Sequence, residues 1–345
     1  MKRIPLSSLT DNMFFDAPVY LDPRYILLSP DVQTTAEMLQ RLQRWGYESV
    51  LSEGNPVEVP AYLSAHQAAD AKSMLELDIK EKQLMEGARK LYFSMINFTV
   101  DAFKRFSESN RLDLASVTER VKQLIEMVKE NRDAILRFPE FVYLADNYIY
   151  QHSLNSVILA LAIGDILKLP AHKQIELGIG SYLHDIGMLK IPESLYLTAK
   201  PLGPKEFQMV RAHAMLGYRI LKGFSVSDAI ALSAWEHHER LDGSGYPRGM
   251  AGDKITLHSR IVAVACSYDS MTTKRLFKTA REGHPALLEL LKGRGSLYDE
   301  NVIRALIYCL SLFPLGTAVL LADGAIGRAI RTDPQSPKSP IVQIL

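Results

Sequence analysis

Cysteine is nearly missing from this chain: Cys266 and Cys309 are the two present in 345 residues. Two thiols cannot build the multi-bridge framework of a small secreted fold, so a reducing cytoplasm is the expected compartment, with a single bridge left open. An excess of either charge is missing too. The formal net charge of +1 gives no global attraction to a nucleic-acid polymer or an anionic membrane, so phosphate binding has to come from a local cluster. Long apolar runs are scarce. Met1-Lys2-Arg3-Ile4-Pro5-Leu6 lacks the continuous apolar core of a signal peptide. The stretch Ala305 to Ala322 is interrupted by Pro314 and Gly316, which predicts a helix, a turn and a strand rather than a membrane span.

The length suffices for two domains or one large one with a buried core. Residues 1–62 read as a small α+β accessory module. Short apolar or aromatic stretches at Met13 to Leu21 and Tyr25 to Leu28, punctuated by Pro18, Pro23 and Pro30, predict strands. Met38, Leu39 and Leu42 within Thr34 to Trp45 predict one helix before a strand at Ser49 to Ser52. Residues 63–133 form a helical region. Ser64 to Phe106 is almost free of Pro and Gly, with Met74, Leu75, Leu77, Ile79, Leu84 and Met85 at helical spacing. Either a linker that pairs two copies or an ordinary helix covering the following domain suits that pattern. Ser116-Val117-Thr118-Glu119 fits a capping box for a helix running to about Asn131.

The chemistry concentrates in residues 134–345. The run Tyr182-Leu183-His184-Asp185-Ile186-Gly187 reads as the end of a buried helix, stopped by Gly187 where left-handed backbone costs least. Some fifty residues on, a second apolar run leads into His237-His238-Glu239-Arg240-Leu241-Asp242-Gly243-Ser244-Gly245-Tyr246-Pro247. Imidazole nitrogen together with carboxylate oxygen suits iron, manganese, nickel or zinc better than calcium or magnesium.

These two segments resemble the signature of the HD-GYP family, a branch of the HD metal-dependent phosphohydrolases. The resemblance runs from about Tyr148 to the C-terminus. It implies a mainly α, HD-type helical catalytic domain with a small C-terminal β-sheet, preceded here by the α+β module. The implied activity is hydrolysis of cyclic di-GMP to the linear dinucleotide pGpG, with GMP as a further product, through a hydroxide bridging two divalent transition metals. Iron comes foremost, then manganese or nickel. The implied ligands are His152, His184, Asp185, His213, His237, His238 and Asp269, with His184 and Asp185 catalytic. Asp185 would bridge, His152, His184 and Asp269 completing one metal site and His213, His237 and His238 the other. The remaining histidines, His66, His172, His258 and His284, read as ordinary core or surface residues.

The resemblance also implies substrate contacts from Gly245, Tyr246, Arg275, Lys278 and Arg281, basic side chains being what a doubly charged dinucleotide requires. Tyr246 could stack on a base or hydrogen-bond. Three positions depart from the pattern. Tyr148 stands where members with three metals carry glutamate, Met188 where most carry a lysine on the scissile phosphate, and Leu276 where proline is usual. Losing that lysine removes charge stabilisation worth several kcal/mol in a desolvated site, with Lys190 the nearest replacement. The alternative is therefore a catalytically weakened receptor for cyclic dinucleotides. It would signal to protein partners through the N-terminal module or a homodimer interface.

Overall fold

The computed structural model describes residues 1–22, 25–29, 32–57, 66–138, 148–198, 200–273, 283–314, 317–321, 324–331 and 339–344. The chain divides into two compact units, Met1–Lys82 and Gln83–Leu345.

In the first unit β1 (Lys2–Pro5), β3 (Val19–Asp22), β4 (Tyr25–Leu28) and β5 (Ser49–Ser52) form an antiparallel sheet in the order β1-β5-β3-β4. The register places Ile4 opposite Val50 and Val19 opposite Ser52. β2 (Phe14–Phe15) pairs with β6 (Pro56–Val57), and α1 (Ala36–Arg44) starts at Thr35, whose side chain accepts from the Met38 amide. Ile4, Phe15, Val19, Leu42 and Val50 make the core of this unit. The predicted strands and helix are all present; β1 was hidden because four residues are too few to show a period.

The second unit is helical: α2 (His66–Ser109), which begins in the first unit, then α3 (Leu114–Ile135), α4 (Tyr148–Ile166), α5 (Ala171–Tyr182), α6 (Glu193–Tyr196), α7 (Pro204–Arg211), α8 (His213–Gly223), α9 (Asp228–Glu236), α10 (Leu257–Thr272), α11 (Gly283–Lys292) and α12 (Glu300–Leu310). At its centre α4 is buried on every side from His152 to Gly164 and is packed by α3, α5, α10 and α12. An all-round apolar helix is stable only in such a place. Each Val, Ile or Leu it buries contributes about 1.5–3 kcal/mol. Tyr92, Met95, Ile96, Phe103 and Phe106 of α2 belong to the same core, so the later half of that helix covers the domain.

α3 corrects one expectation. Its N-cap is Asp113, whose Oδ1 accepts from the Ser116 amide at 3.1 Å, and the helix therefore starts before the predicted box. Starting there lines up Val117, Val121, Leu124 and Val128 on the buried face, and the backbone kinks at Asn131, where the helix was expected to stop. β7 (Ala318–Leu320), β8 (Ile326–Arg331) and β9 (Ile341–Ile344) form the antiparallel C-terminal sheet. The membrane-like stretch thus splits into α12 and β7, and among the described residues no helix is long and apolar enough to cross a membrane.

Candidate metal centre

His152 stands in the second turn of α4. His184 and Asp185 follow α5 in a turn that passes into a 3₁₀ segment, Ile186–Lys190. His213 opens α8 immediately after a break at Ala212, and His237 caps the C-terminus of α9 with His238 next to it. Gly187 makes this assembly possible by a route other than the expected one. Its φ is not positive; instead a Cβ there would run into the His213 carbonyl oxygen and lie 2.6 Å from the Gly217 amide nitrogen. Absence of a side chain lets the turn after α5 touch α8, which brings His184 and Asp185 to His213.

Four imidazoles are set by their outer nitrogens. Nδ1 of His184 lies 2.7 Å from the Ser181 carbonyl, that of His213 2.6 Å from Val210 and that of His237 2.9 Å from Ala234. A carbonyl only accepts, so Nδ1 carries the hydrogen and Nε2 turns a lone pair inward. His152 offers Nδ1 to Asp269 Oδ2 at 2.6 Å with the same result.

Asp185 stands between two pairs of these lone pairs. Its Oδ2 lies 3.7 Å from Nε2 of both His152 and His184, whereas its Oδ1 faces Nε2 of His213 at 3.3 Å and of His237 at 3.4 Å. His213 and His237 bring their Nε2 atoms within 3.2 Å of each other. With both hydrogens on Nδ1, that contact opposes two lone pairs. Buried His184 Nε2 and Asp185 Oδ1 have no hydrogen-bond partner. Such converging acceptors call for cations between them. Asp185 with His213, His237 and His238 forms one group that could hold a metal ion, and His152, His184 and Asp185 form another.

Electrostatics favours the ligating forms. Burial, with like charges around it, lowers the His184 pKa to about 3, and burial likewise lowers those of His213 and His238. Burial pushes Asp185 up, but the surrounding imidazoles, His184 first, outweigh it and hold the carboxyl well below its usual range. Neutral imidazoles around an anionic carboxylate are the protonation states that metals require.

Asp269, expected as a seventh ligand, stands outside both groups. Its Oδ2 orients His152, and its Oδ1 accepts from Asn155 and from Thr273 at 2.7 Å each. Asn155 in turn accepts from the Tyr92 hydroxyl at 2.9 Å. A carboxylate with both oxygens engaged behind a histidine fixes ring orientation and raises basicity. His258 Nε2 donates to the Lys173 carbonyl at 3.1 Å and His284 Nδ1 to the Leu312 carbonyl at 2.7 Å, as ordinary residues do.

The cluster floors a cleft of about 420 Å³ whose walls include Tyr148, Met188, Arg240, Tyr246, Cys266, Ser270 and Tyr298. Tyr246 stacks on His238 at 4.5 Å, and the Arg211 guanidinium covers its other face at 4.0 Å. With both faces taken, the hydroxyl edge is what remains for a ligand, and burial keeps that phenol protonated. Gly245 leaves room for backbone: a Cβ would lie 2.5 Å from Glu239 Cα. Met188 is 3% exposed and lines the cleft. Lys190 does not replace a cation there, since its ammonium donates to Asn110 Oδ1 at 2.6 Å and covers the Phe106 ring. Burial pushes the Cys266 thiol up to about 12, so it stays protonated. Arg275, Lys278 and Arg281 lie outside the described residues, as does Leu276.

One functional pair escaped the sequence reading. Glu236 and Glu239 are 1% and 2% exposed and hold the loop after His238. Glu239 accepts from the amides of Arg248 and Met250 at 2.8 and 2.9 Å; Glu236 accepts from Arg248 Nη2 and from the amide and hydroxyl of Thr256. Acidic residues beside an apolar run that enters a Gly-rich loop were the available signal.

Comparison with known proteins adds the following. Residues 140–302 match the family described as HD domain. The chain is 29% identical over 202 residues to the cyclic di-GMP phosphodiesterase PdeB of Borreliella burgdorferi, covering 59% of this chain and 53% of that protein. It is 27% identical over 359 residues to a cyclic di-GMP phosphodiesterase of Pseudomonas aeruginosa, covering 100% and 85%. With the response regulator RpfG of Xanthomonas campestris, also named a cyclic di-GMP phosphodiesterase, identity is 31% over 213 residues, covering 58% and 56%. The chain thus spans about half the length of the first and third and most of the second. A solved HDG"Y"P protein from Bdellovibrio bacteriovorus superposes with a TM-score of 0.54 at 16% identity, covering 88% of this chain and 97% of that one, which shows a shared fold.

Proposed function

We propose that this chain is a member of the HD-GYP branch of HD-domain proteins and a metal-dependent phosphodiesterase opening cyclic di-GMP to linear pGpG. The observation that carries the reading is Asp185 set between two groups of inward-facing imidazole lone pairs at the floor of a cleft. His152, His184 and Asp185 would hold one divalent cation, and Asp185, His213, His237 and His238 the other. Bound there, such cations supply Lewis-acid charge at the phosphodiester and water activated at neutral pH. The residues themselves do the positioning. Asp269 and the carbonyls of Ser181, Val210 and Ala234 fix the ring orientations, and the Tyr246 hydroxyl would offer the substrate a hydrogen bond. Residues 1–62 are read as an accessory module and residues 63–133 as a helical linker or dimerisation region.

The test uses purified protein analysed for bound metal and assayed with cyclic di-GMP, cyclic di-AMP and cyclic GMP-AMP. His184→Ala combined with Asp185→Ala is expected to lose both metal and turnover; unchanged turnover in that variant sinks the assignment.

A second reading, a receptor that binds the dinucleotide with little turnover, is favoured by one observation: Met188 lines the cleft and Lys190 turns away from it. Met188→Lys separates the two. A gain in kcat of tenfold or more marks the native protein as weakened, whereas no gain in an already active enzyme removes this reading.

A further inference from the structure

Among the described residues that line the cleft over the cluster, permanent positive charge is scarce. Arg240 is the one guanidinium or ammonium in that described lining, which also includes Met188 and Met271. The placement of Arg240 is specific. Its Nη1 donates to the carbonyls of His237 at 3.3 Å and Glu239 at 2.9 Å, and its plane rests 4.8 Å from the centre of the Tyr298 ring. Tyr298 is in turn anchored by its hydroxyl to Ser267 Oγ at 3.1 Å. No carboxylate pairs with Arg240 among the described residues, and its Nε–H and both Nη2–H donors have no partner there. One edge of the guanidinium is therefore fixed and the other is an unoccupied fork in a cleft that five imidazoles and the carboxylates of Asp185 and Glu289 also line.

A fork of parallel N–H donors matches two oxygens of one phosphodiester, and a donor already immobilised loses little entropy when it binds. Resting on the reading of the chain as a cyclic dinucleotide hydrolase, we infer that Arg240 clamps a phosphodiester of the substrate through its Nε and Nη2 edge. It supplies from the loop after His238 the cation that position 188 does not. The competing role is purely local: capping the end of α9 by satisfying two carbonyls, with no ligand contact.

The experiment uses the full-length, metal-loaded protein with Arg240→Gln and Arg240→Lys. It measures Kd for the non-hydrolysable bis-phosphorothioate of cyclic di-GMP, kcat and KM for cyclic di-GMP, metal content and melting temperature. Wild type must first bind the analogue; if it binds no cyclic dinucleotide, the hydrolase reading itself falls, a result distinct from the following ones. Arg240→Gln is expected to weaken Kd by about 10–100-fold, the size of a charge-assisted pair. Metal content should be unchanged, and Kd should depend less on salt. Arg240→Lys keeps the charge without the fork and should fall between, ~3–10-fold weaker. Wild-type Kd and kcat/KM in Arg240→Gln overturn the inference in favour of the capping role. If Arg240→Gln melts early or sheds metal, Arg240→Lys decides: affinity equal to wild type overturns the clamp, and reduced affinity at full metal content supports it.

Discussion

At Gly187 the backbone of the turn after Asp185 meets the His213 carbonyl and the Gly217 amide so closely that a Cβ has no room. Gly187→Ala is expected to push α8 away from that turn. Overpacking of this kind costs about 1–3 kcal/mol, which for a domain of this size is a fall in melting temperature of a few degrees per kcal/mol. Metal occupancy should fall with it, because the displaced element carries His213. Unchanged melting and metal content in the variant would remove the argument. The contrast with the expectation is instructive: a glycine after an apolar helix is most simply read as a left-handed stop, and the need for closeness comes from a segment some thirty residues away. The histidines behaved differently. Their grouping as a set came from the resemblance to the family's pattern, whereas the role of each nitrogen was not legible, since it depends on which carbonyl each ring meets.

Among the elements, the α9–loop–α10 passage does the most for the site. His237 and His238 leave α9, the loop carries Arg240 and Tyr246 to the cleft, and α10 returns with Asp269. Two buried carboxylates hold that excursion. Glu239→Ala leaves the amides of Arg248 and Met250 without their acceptor, each orphaned group costing roughly 1–3 kcal/mol. The expected outcome is a lower melting temperature together with a KM increase larger than the change in kcat, since the loop rather than the cluster is released. A variant with wild-type KM and stability would show the clamp to be unimportant. Helix starts illustrate what pattern reading does well and badly. The capping signal was placed at Ser116, and Asp113 wins because its carboxylate reaches the Ser116 amide and brings one continuous apolar stripe inward. Element type survives such competition, and the terminal residue does not.

For the whole chain, the two cores are disjoint in sequence: one is drawn from residues 4–50, the other begins at Ala88. Every residue of the six-member cluster lies in Gln83–Leu345. Residues 83–345 produced alone are therefore expected to fold cooperatively and to bind metal to the same stoichiometry as the full chain. Loss of metal binding in a folded fragment would show that the first unit completes the site. Tyr92 of α2 reinforces the expectation, since it ties that helix to Asn155 and through it to Asp269.

Composition and order along the chain by themselves determined the class of the elements: a mainly helical chain with a small terminal sheet, behind a small α+β module, and the donor types that could hold metal ions. They could do so because apolar period, caps and the types of donor atoms are local properties. Which atoms face one another was decided only in three dimensions. The lone pair each histidine turns inward, the place of Asp185 between two groups and of Asp269 behind one of them, the covered faces of Tyr246 and the free edge of Arg240 all depend on contacts between distant segments. No local pattern encodes such contacts, because they follow from how whole helices pack.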